Sequence, residues 1–233
     1  MDFFQGALKA EFGKSFIYSV PVKDLILDRL PATVHLALTG MIMAFSLGIP
    51  LGILAAVKRD SIFDKIGQAF AVFGLAAPQF WVAIMLIMIT GAQMGWLPTH
   101  GRGDIEGWWP EWHQVPDMIH HLLLPAFVLA ITVIAAVMRL TRSAMLEILD
   151  SDFVKFAQVK GISHRAVIWK HAARNALIPV LTFGGITLAG LLNGSVVVEV
   201  VFAWPGVGLL LLEGVRNRDF PMTEGAILLS GFF

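Results

Sequence analysis

Three histidines near two carboxylates are the residues in this sequence best suited to chemistry. His113, His120 and His121 lie within a few positions of Glu111 and Asp117, and imidazole nitrogens and carboxylate oxygens are common ligands of divalent metals. Two adjacent histidines cannot easily face one ion from a helix, because consecutive side chains point in different directions. The pattern favours histidines at a surface or an interface, and we predict no metal site.

No other segment carries the residues of a known catalytic centre. The sequence contains no His-Glu-x-x-His, no Gly-x-Ser-x-Gly and no phosphate-binding glycine loop, which mark metalloproteases, serine hydrolases and nucleotide sites. Its apolar stretches are almost free of ionisable side chains, with His35 near the start of the first as an exception. A proton relay would need such groups. We therefore predict no catalytic residue, and energy must come from a partner.

A basic segment between two apolar stretches, from about residue 139 to 175, is suited instead to noncovalent binding. Gly161 fits the left-handed conformation that ends a helix, and Ser163 is a good N-cap for the next helix. The segment therefore predicts a helix, a tight turn and a second helix over residues 166–176. Upstream of the turn, four apolar residues recur at helical spacing on one face: Met145, Leu149, Phe153 and Phe156.

Two interpretations of this basic segment remain open. Its helices could lie in the membrane interface, with Lys155 and Lys160 extending towards anionic headgroups. His164 and Arg165 fit this less well, because they occupy the first turn of the second helix. The helix dipole disfavours cations there by roughly 0.3–1 kcal/mol each. This local cost favours the second interpretation, in which the segment docks onto a polar or acidic partner.

Composition identifies the elements that must position these residues. Hydrophobic residues make up 57% of the 233 residues, charged residues make up 15%, and the net charge is zero. The mean hydropathy is +0.74, outside the range of soluble proteins. Cysteine is absent, which excludes disulfides and thiolate metal sites. The sequence predicts an all-α, polytopic membrane protein built as one transmembrane helical bundle over residues 1–233.

Apolar stretches of about 20 residues, the length that crosses about 30 Å of hydrocarbon, locate the spans. Four stretches reach this length and a fifth stops at the last residue, so we expect the chain to be a fragment that lacks part of its last span. An N-terminus outside the membrane without a signal peptide suggests that a preceding span is missing as well. The predicted spans cover residues 33–57, 66–93, 122–138 and 177–198, and incompletely 223–233.

Basic residues near the ends of the spans indicate the orientation. The loop at residues 58–65 and the segment at 139–175 hold ten of the seventeen Lys and Arg residues, so both are predicted to be cytoplasmic. The loop at 94–121 holds only Arg102 and is predicted to lie outside. Four tryptophans in this outer loop are typical of a membrane interface or a packed external loop: Trp96, Trp108, Trp109 and Trp112.

Small residues and prolines within the spans indicate packing and kinks. Pairs of glycines spaced four apart allow close helix approach, either as simple packing or as a seam between moving helices or subunits. Proline in a span frees a backbone carbonyl, so Pro78 with Gln79, and separately Asn193, are candidates for a kink or a pore lining. The glycine pairs are Gly48 with Gly52 and Gly190 with Gly194.

The basic segment also carries the motif of a known family. The segment Asp152-Phe-Val-Lys-Phe-Ala-x-x-Lys160-Gly161-x-Ser163, followed by His171-Ala-x-Arg-Asn-Ala-Leu-Ile-Pro179, resembles the EAA loop of ABC importer permeases of the oligopeptide/dipeptide/nickel branch. The Glu-Ala-Ala positions are occupied by Lys155, Phe156 and Ala157, so only Ala157 and the glycine hold, a departure typical of this branch. Further matches run in order along the chain: Gly13-Lys-Ser-Phe, Gly48-Ile-Pro-Leu-Gly52, Pro78-x-Phe-Trp81, Gly95-Trp-Leu-Pro98 and Val198-Glu-x-Val-Phe-x-Trp-Pro-Gly206.

The resemblance implies a type I ABC importer fold and a non-catalytic transport subunit. Such a permease pairs with a second, related permease subunit, two cytoplasmic ATPase subunits bind below, and an extracytoplasmic binding protein delivers the solute. The chain itself would bind no cofactor; ATP and Mg²⁺ would belong to the ATPase subunits. The coupling residues carried over are Asp152, Lys155, Ala157, Lys160, Gly161, Ser163, His164 and Arg165.

Location and substrate follow from the same resemblance. It implies a multi-pass protein of a bacterial or archaeal cytoplasmic membrane, in contact with lipid and with no nucleic acid partner. Peptides, nickel complexes and glutathione-like molecules are all possible solutes. The alternative function is a stand-alone channel or facilitator with an interfacial loop; a membrane-embedded enzyme is disfavoured because catalytic groups are absent.

Overall fold

The computed structural model describes residues 12–103, 105 and 107–231. Apart from one isolated bridge between Lys14 and Pro21, the described chain consists of helices joined by short loops, so the all-α prediction is confirmed. The helices, in chain order, are α1 Val22–Val57, α2 Ile62–Ala76, α3 Gln79–Leu86 with a π-helical extension Ile87–Gln93, α4 Val115–Leu149, α5 Asp152–Val159, α6 His164–Ala166 with a π-helical stretch Val167–Ala172, α7 Ala173–Gly194, α8 Val196–Val201, α9 Val207–Arg216 and α10 Phe220–Ser230.

Three continuous helical stretches are long and apolar enough to cross a membrane: Val22–Val57, Val115–Leu149 and His164–Asn193. They are longer than the predicted spans 33–57, 122–138 and 177–198, because each helix continues beyond its apolar part into polar sequence. The most apolar windows of these helices include few charged residues, as a hydrocarbon core requires.

The predicted span over residues 66–93 is not one continuous helix. α2 ends at Ala76, and Ala77 adopts an extended conformation with φ −71° and ψ 127°. Proline disfavours the helical conformation of the residue before it, so Pro78 explains the break. α2 and the helix that follows can still form one broken span, which would be the fourth.

The chain folds into two compact units, each built from separate stretches of sequence. Unit 1 comprises residues 1–39, 78–129 and 189–233, and unit 2 comprises residues 40–77 and 130–188. A cluster in unit 1 packs the start of α1 against α9 and α10 through Val22, Ile26, Leu210 and Met222. Burial of such apolar side chains contributes about 1.5–3 kcal/mol each.

A buried carboxylate organises the segment between α8 and α9 in unit 1. Glu199 is fully buried and accepts hydrogen bonds from the Thr33 and Ser195 hydroxyls, both at 2.8 Å, and from the Leu209 N–H at 3.0 Å. A Cβ atom on Gly206 would lie within 2.5 Å of the Glu199 carboxylate oxygens, so glycine is required there. The buried Trp204 indole donates to the Ala32 carbonyl at 2.9 Å.

Glycines bring the helices of unit 2 into close contact along α4. A Cβ atom on Gly48 would lie 2.8 Å from the Val137 side chain, and one on Gly52 would lie 2.6 Å from the Met138 carbonyl oxygen. Gly74 of α2 approaches Ala135 in the same way, at 2.9 Å. These positions let backbones meet and gain dispersion contacts, the main source of association between helices in lipid.

The second glycine pair behaves differently. Among the described residues, nothing beyond its own helix lies within 4 Å of a Cβ atom built on Gly190, so Gly190 makes no close helix contact there, and its role in helix packing stays a prediction. Gly194 ends α7, and its packing lies outside the described part of the structure. The four tryptophans of the outer loop are exposed, so that loop does not pack them inside the chain.

Candidate functional site

The basic segment at residues 139–175 forms two helices joined by a tight turn, preceded by the end of α4. The helix break at Asp150 and Ser151 separates α4 from α5, and the Ser151 hydroxyl donates to the Ile148 carbonyl at 2.6 Å. The prediction that Met145, Leu149, Phe153 and Phe156 share one helical face is therefore wrong. Met145 is buried in the core of unit 2, whereas the two phenylalanines are exposed.

The inner face of α5 is fixed to the π-helical stretch that follows α6. Val154 and Ala157 are buried against Val167, with Ile148 and Ile162 packed around them. At the edge of this face, the partly exposed Phe153 ring meets the His171 ring edge to face with their centres 6.0 Å apart. α5 is short, and an isolated helix of eight residues would be unstable in water. These contacts with the following helix therefore hold it in place.

The outer face of α5 carries an apolar stripe. Phe153, Phe156 and Val159 are spaced three residues apart and are 52%, 61% and 84% exposed. The Lys160 ammonium lies 4.4 Å from the centre of the Phe156 ring, which places a positive charge on the stripe. Exposed apolar residues grouped on one short helix are typical of a protein interaction site.

The turn after α5 depends on one glycine. Gly161 adopts the left-handed conformation with φ 76° that its sequence position predicts. Its N–H donates to the Gln158 carbonyl at 2.9 Å. A Cβ atom there would meet no described atom within 4 Å, so the requirement for glycine comes from the backbone conformation alone.

The predicted capping role of Ser163 is only partly realised. Ser163 occupies the N-cap position of α6 with non-helical backbone angles, φ −59° and ψ 142°, but its side chain makes no capping hydrogen bond. The helix starts instead with the Val167 N–H donating to the Ser163 carbonyl at 3.0 Å. The hydroxyl-bearing side chain is exposed and is available to a partner.

The remaining predicted residues surround this turn. The Lys155 ammonium pairs with Asp152 at 3.0 Å on the exposed side of α5, and Ala157 lies beneath as part of the buried inner face. His164 and Arg165 are exposed in the first turn of α6. The structure thus brings all eight residues that are predicted to couple to the ATPase into one segment, residues 152–165, which we call the coupling loop after this predicted role.

The predicted pore or kink residues lie apart from the coupling loop in the sequence. Gln79 is half-buried at the start of α3, just after the break at Pro78, and Asn193 is exposed near the end of α7. Within the part of the chain that the structure describes, neither side chain makes a hydrogen bond. The described residues therefore bring no polar partner to them.

An ion pair that sequence analysis missed lies in unit 2. The Asp64 carboxylate is fully buried, and its oxygens accept from Arg142 Nε at 2.6 Å and a terminal Arg142 nitrogen at 2.8 Å. Gln68 Nε2 and the Asp60 N–H donate to the same carboxylate at 3.0 Å each. This pair ties α2 to α4. A signal existed in the sequence, because Ser61 caps α2 by accepting from the Asp64 N–H, as in a Ser-x-x-acid capping motif.

Two further polar groups of unit 1 were missed. Burial raises the pKa of Glu199, which lies outside the candidate spans, while hydrogen bonds from Ser195 and Thr33 act in the opposite direction. Arg102 is buried and hydrogen-bonds to His35 Nδ1 at 2.9 Å, and desolvation lowers the pKa of its guanidinium. The sequence signal was the single acid, Glu199, inside a run of valines.

The histidines of the outer loop have separate local partners. His121 lies 3.3 Å from Asp117 and His113 lies 3.5 Å from Glu111, while His120 contacts the Trp96 carbonyl at 2.9 Å. Among the described residues, no group of three potential metal ligands comes together. The structure therefore does not gather these histidines around one point.

The fold and the loop define the class of the protein, a polytopic helical membrane subunit with a structured loop between two spans. Comparison with solved structures finds the same fold in a chain of the MetNI methionine ABC transporter, crystallised in inward-facing conformations. The TM-score is 0.64 at 17% identity, and the match covers 86% of this chain and 87% of the other. This likeness confirms the predicted ABC importer permease fold.

Sequence comparison then identifies the family. Residues 48–233 match the family described as the binding-protein-dependent transport system inner membrane component, and the chain belongs to this family. It is 41% identical over 225 residues to the oligopeptide transport system permease protein AppB of Bacillus subtilis, a match that covers 96% of this chain and 70% of AppB. It is 36% identical over 246 residues to the dipeptide transport system permease protein DppB of Escherichia coli, covering 98% and 73%.

Membership of this family establishes the general role of the chain. The chain is a non-catalytic permease subunit of an ABC importer and a multi-pass protein of the inner membrane. The stand-alone channel and the membrane-embedded enzyme are therefore excluded as descriptions of the chain. An importer of this kind implies a complex with ATPase and binding-protein partners.

Proposed function

We propose that this chain forms one half of the translocation path of a bacterial importer for peptides or similar small solutes, and that the coupling loop docks on a cytoplasmic ATPase subunit. The observation that carries the proposal is the apolar stripe of Phe153, Phe156 and Val159, exposed on a helix whose opposite face is firmly packed. A surface-lying interfacial helix would also expose apolar residues. The left-handed turn at Gly161 and the Ser163 side chain, which makes no capping hydrogen bond, favour a specific contact with a protein over a contact with lipid.

The mechanical role follows from how the loop is held. Because α5 packs on the π-helical stretch that leads into α7, a push on α5 is transmitted to a membrane-spanning helix. ATP binding and hydrolysis in the ATPase subunits, which would also hold Mg²⁺, supply the force; this chain binds neither. The spans would then alternate between inward-open and outward-open arrangements.

A second permease subunit completes the path. The face of α7 that carries Ile178, Leu181, Thr182 and Gly185 is exposed within this chain, and a Cβ atom on Gly185 would meet no described atom within 4 Å. Small and apolar residues on an uncovered helix face suit a close contact with another membrane helix. We assign this face to the second permease subunit, which is either a related chain or a second copy.

The preferred solute is a peptide, because AppB and DppB are named for oligopeptide and dipeptide transport. Nickel complexes and glutathione-like molecules are less favoured. Reconstituted with its partners, the complex should show ATP hydrolysis stimulated by a binding protein loaded with a dipeptide. Stimulation by a nickel chelate and by no peptide would reverse this assignment.

The coupling role is tested by disulfide crosslinking, which the absence of native cysteine makes direct. Ser163→Cys in the full chain, combined with a cysteine in the surface cleft of the ATPase subunit, should give a crosslink whose yield changes with ATP. Arg59→Cys in the other cytoplasmic loop is the control, because that side chain is exposed, and it should give none. A correctly inserted protein without a crosslink from any position between Lys160 and Arg165 would refute the docking role.

A further inference from the structure

An apolar cleft lies in unit 2 between the end of α1 and the start of α2. Its volume is about 260 Å³, and the described residues that line it are all apolar. Leu51 and Leu54 line it from α1, and Phe63 and Ile66 line it from α2; all four are exposed. The buried Met138 of α4 also lines it. Grouped apolar residues that are exposed in this way indicate a site that another molecule covers.

The apolar cleft lies at the border of the hydrocarbon. Lys58 follows Leu54 by one turn, about 6 Å along α1 at about 1.5 Å per residue. Arg139 directly follows Met138 on α4. Charged side chains in such positions mark the ends of membrane spans. The cleft therefore lies just inside the level of the phospholipid headgroups, where both acyl chains and phosphate groups are available.

A positive charge is placed directly on the wall of the apolar cleft. The Lys58 ammonium lies 4.6 Å from the centre of the Phe63 ring, and this ring lines the cleft. Lys65 is exposed beside Ile66, another lining residue. Within the part of the chain that the structure describes, neither lysine belongs to an ion pair.

The acidic residues of the same loop are already paired. Asp64 is bound by Arg142 of α4, and the Asp60 carboxylate lies 3.6 Å from Arg59. Lys58 and Lys65 therefore leave two positive charges uncompensated beside the cleft. An apolar cleft bordered by positive charge suits an amphipathic molecule with an anionic head, and basic residues at the membrane surface attract anionic lipids.

A second permease subunit fits the apolar cleft less well. Membrane proteins concentrate Lys and Arg at the cytoplasmic ends of their spans. A helix of such a subunit would therefore bring like charges to Lys58 and Lys65, which is unfavourable. The face that we assign to the second subunit lies on α7, and no described residue of α7 lines the cleft.

Residues 1–11 of the chain are too short to cover the apolar cleft. Phe12, which follows them, packs at the start of α1 against the cluster that contains Val22. Leu51 lies about 44 Å from Val22 along α1 at about 1.5 Å per residue. Eleven residues in a fully extended conformation span at most about 40 Å, so they end before the cleft.

We propose that the apolar cleft binds an anionic phospholipid, with one acyl chain between α1, α2 and α4 and the phosphate beside Lys58 and Lys65. Bound there, the lipid contacts three helices at once, and because it binds only the folded chain it stabilises unit 2. The proposal does not depend on the coupling role of residues 152–165 or on the identity of the solute.

Photocrosslinking of the unmodified full chain in the assembled transporter tests the site. A phosphatidylglycerol that carries a diazirine in one acyl chain should crosslink to residues 51–55 and 63–70. An excess of unlabelled phosphatidylglycerol should remove this crosslink, whereas the same excess of phosphatidylcholine should not. Equal competition by the two lipids would show unselective contact with the bilayer and overturn the proposal. Crosslinks elsewhere on the chain but none at these residues would show that protein covers the cleft, and would also overturn it.

Charge substitutions test the position of the headgroup. The double variant K58Q/K65Q should weaken competition by phosphatidylglycerol about tenfold or more, because each basic residue near the surface contributes to the attraction. Competition by phosphatidylcholine should not change. The matched control K14Q/K23Q removes the same charge from two lysines exposed at or before the other end of α1, and it should behave as wild type. Unchanged competition in K58Q/K65Q would exclude the headgroup from this position.

A substitution that fills the cleft tests the position of the acyl chain. Phosphatidylglycerol should raise the unfolding temperature of wild type in detergent by about 5 °C. Leu54→Trp should keep the lipid-free unfolding temperature, because Leu54 is exposed, but lose most of the increase. Ile42→Trp is the control on the same helix, at an exposed residue outside the cleft, and it should keep the increase. An equal increase in Leu54→Trp and wild type would place the acyl chain elsewhere and overturn the proposal.

Discussion

At the scale of single residues, buried polar groups do most to specify this structure. Glu199 in unit 1 and Asp64 in unit 2 are both fully buried, but they are satisfied differently. Asp64 has a cationic partner in Arg142, whereas Glu199 is surrounded by neutral donors. Removing a partner from a buried charge costs more than removing a surface ion pair, so these two sites should respond strongly to substitution.

Glu199→Ala should destabilise the protein by roughly 3 kcal/mol or more, because it leaves a cavity and unpaired donors on Thr33, Ser195 and Leu209. Thermal unfolding in detergent measures the loss. Glu224→Ala is the matched control, since Glu224 is exposed, and it should change stability by no more than about 0.5 kcal/mol. Equal effects of the two variants would show that the Glu199 hydrogen bonds do not stabilise unit 1.

The stability should also depend on pH through Glu199. Because burial raises its pKa, the folded chain binds this proton more tightly than the unfolded chain. The resulting stabilisation is complete below the ordinary carboxyl pKa and is lost as the pH rises through the raised value. Relative to Glu199→Gln, the wild type should therefore gain thermal stability as the pH falls from 7 towards 5. Parallel pH profiles for the two proteins would contradict the raised pKa.

The Asp64–Arg142 pair predicts a large coupling between two substitutions. Arg142→Met should cost about 3–5 kcal/mol, because it leaves the fully buried Asp64 carboxylate without its counter-charge, and Asp64→Asn should cost less, because the Arg142 side chain that it leaves unpaired is 21% exposed. The double variant should cost less than the sum of the two, by about 1 kcal/mol or more. A double-mutant cycle on unfolding in detergent measures this coupling. Additive effects would show that the two side chains do not act as a pair.

At the scale of elements, short helices depend on the segments they pack against, and turns depend on single backbone conformations. α5 has eight residues and is held by Val167 and Ile162. The break between α2 and α3 follows from Pro78, and the turn after α5 follows from Gly161. The element that we propose to contact the ATPase subunit is thus stable only because the adjoining helix supports it.

Substitutions at Gly161 should affect the coupling of transport to ATP hydrolysis without affecting insertion of the chain into the membrane. Gly161→Val should insert normally but lose most peptide-stimulated ATP hydrolysis, since a β-branched residue cannot adopt φ 76° without strain. Gly161→Asn is the matched control and should retain activity, because asparagine tolerates this conformation. Uptake and ATPase assays in proteoliposomes measure both. Normal coupling in Gly161→Val would show that the conformation of the turn is not required.

At the scale of the whole molecule, some glycines allow close packing between helices of this chain, whereas others lie on helix faces that no described residue covers. Gly52 lies in contact with the Met138 and Thr141 region of α4, whereas a Cβ atom on Gly185 would meet no described atom. The two residues are chemically identical and both lie in helices. They differ only in what surrounds them.

Leucine substitutions at these two glycines should therefore affect different properties, the stability of the isolated chain at one and subunit assembly at the other. Gly52→Leu should destabilise the isolated chain by roughly 1–3 kcal/mol, because overpacking displaces α4. Gly185→Leu should leave the isolated chain as stable as wild type but reduce assembly with the second permease subunit. Thermal unfolding and size-exclusion chromatography of the co-expressed subunits separate these outcomes. Normal assembly of Gly185→Leu would exclude the proposed face of α7 as the subunit contact.

The class of fold and the family could be recognised from the sequence alone, and the coupling loop is located by a prediction from the sequence. These follow from local signals: apolar length, charge at the ends of the spans, and motifs such as Lys160-Gly161-x-Ser163. Helix ends were less well predicted, because a helix continues past the apolar window into polar residues, as α1 does before Thr33. The kink expected at Pro78 within the span over 66–93 is present as a helix break, but its size could not be predicted, because hydropathy does not register a change in backbone direction.

Which polar residues meet depends on the tertiary fold and could not be predicted from the sequence. Ser15 and Asp219 are separated by 204 positions, Thr33 and Glu199 by 166, and Asp64 and Arg142 by 78. No local pattern links such partners, since their contact depends on how the intervening helices pack. The same holds for the glycines, because Gly48 and Gly190 begin identical Gly-x-x-x-Gly patterns, yet a neighbouring helix lies against Gly48 and nothing in the described chain lies against Gly190. A Gly-x-x-x-Gly motif allows another helix to approach closely, but whether a helix lies there depends on how the whole chain packs.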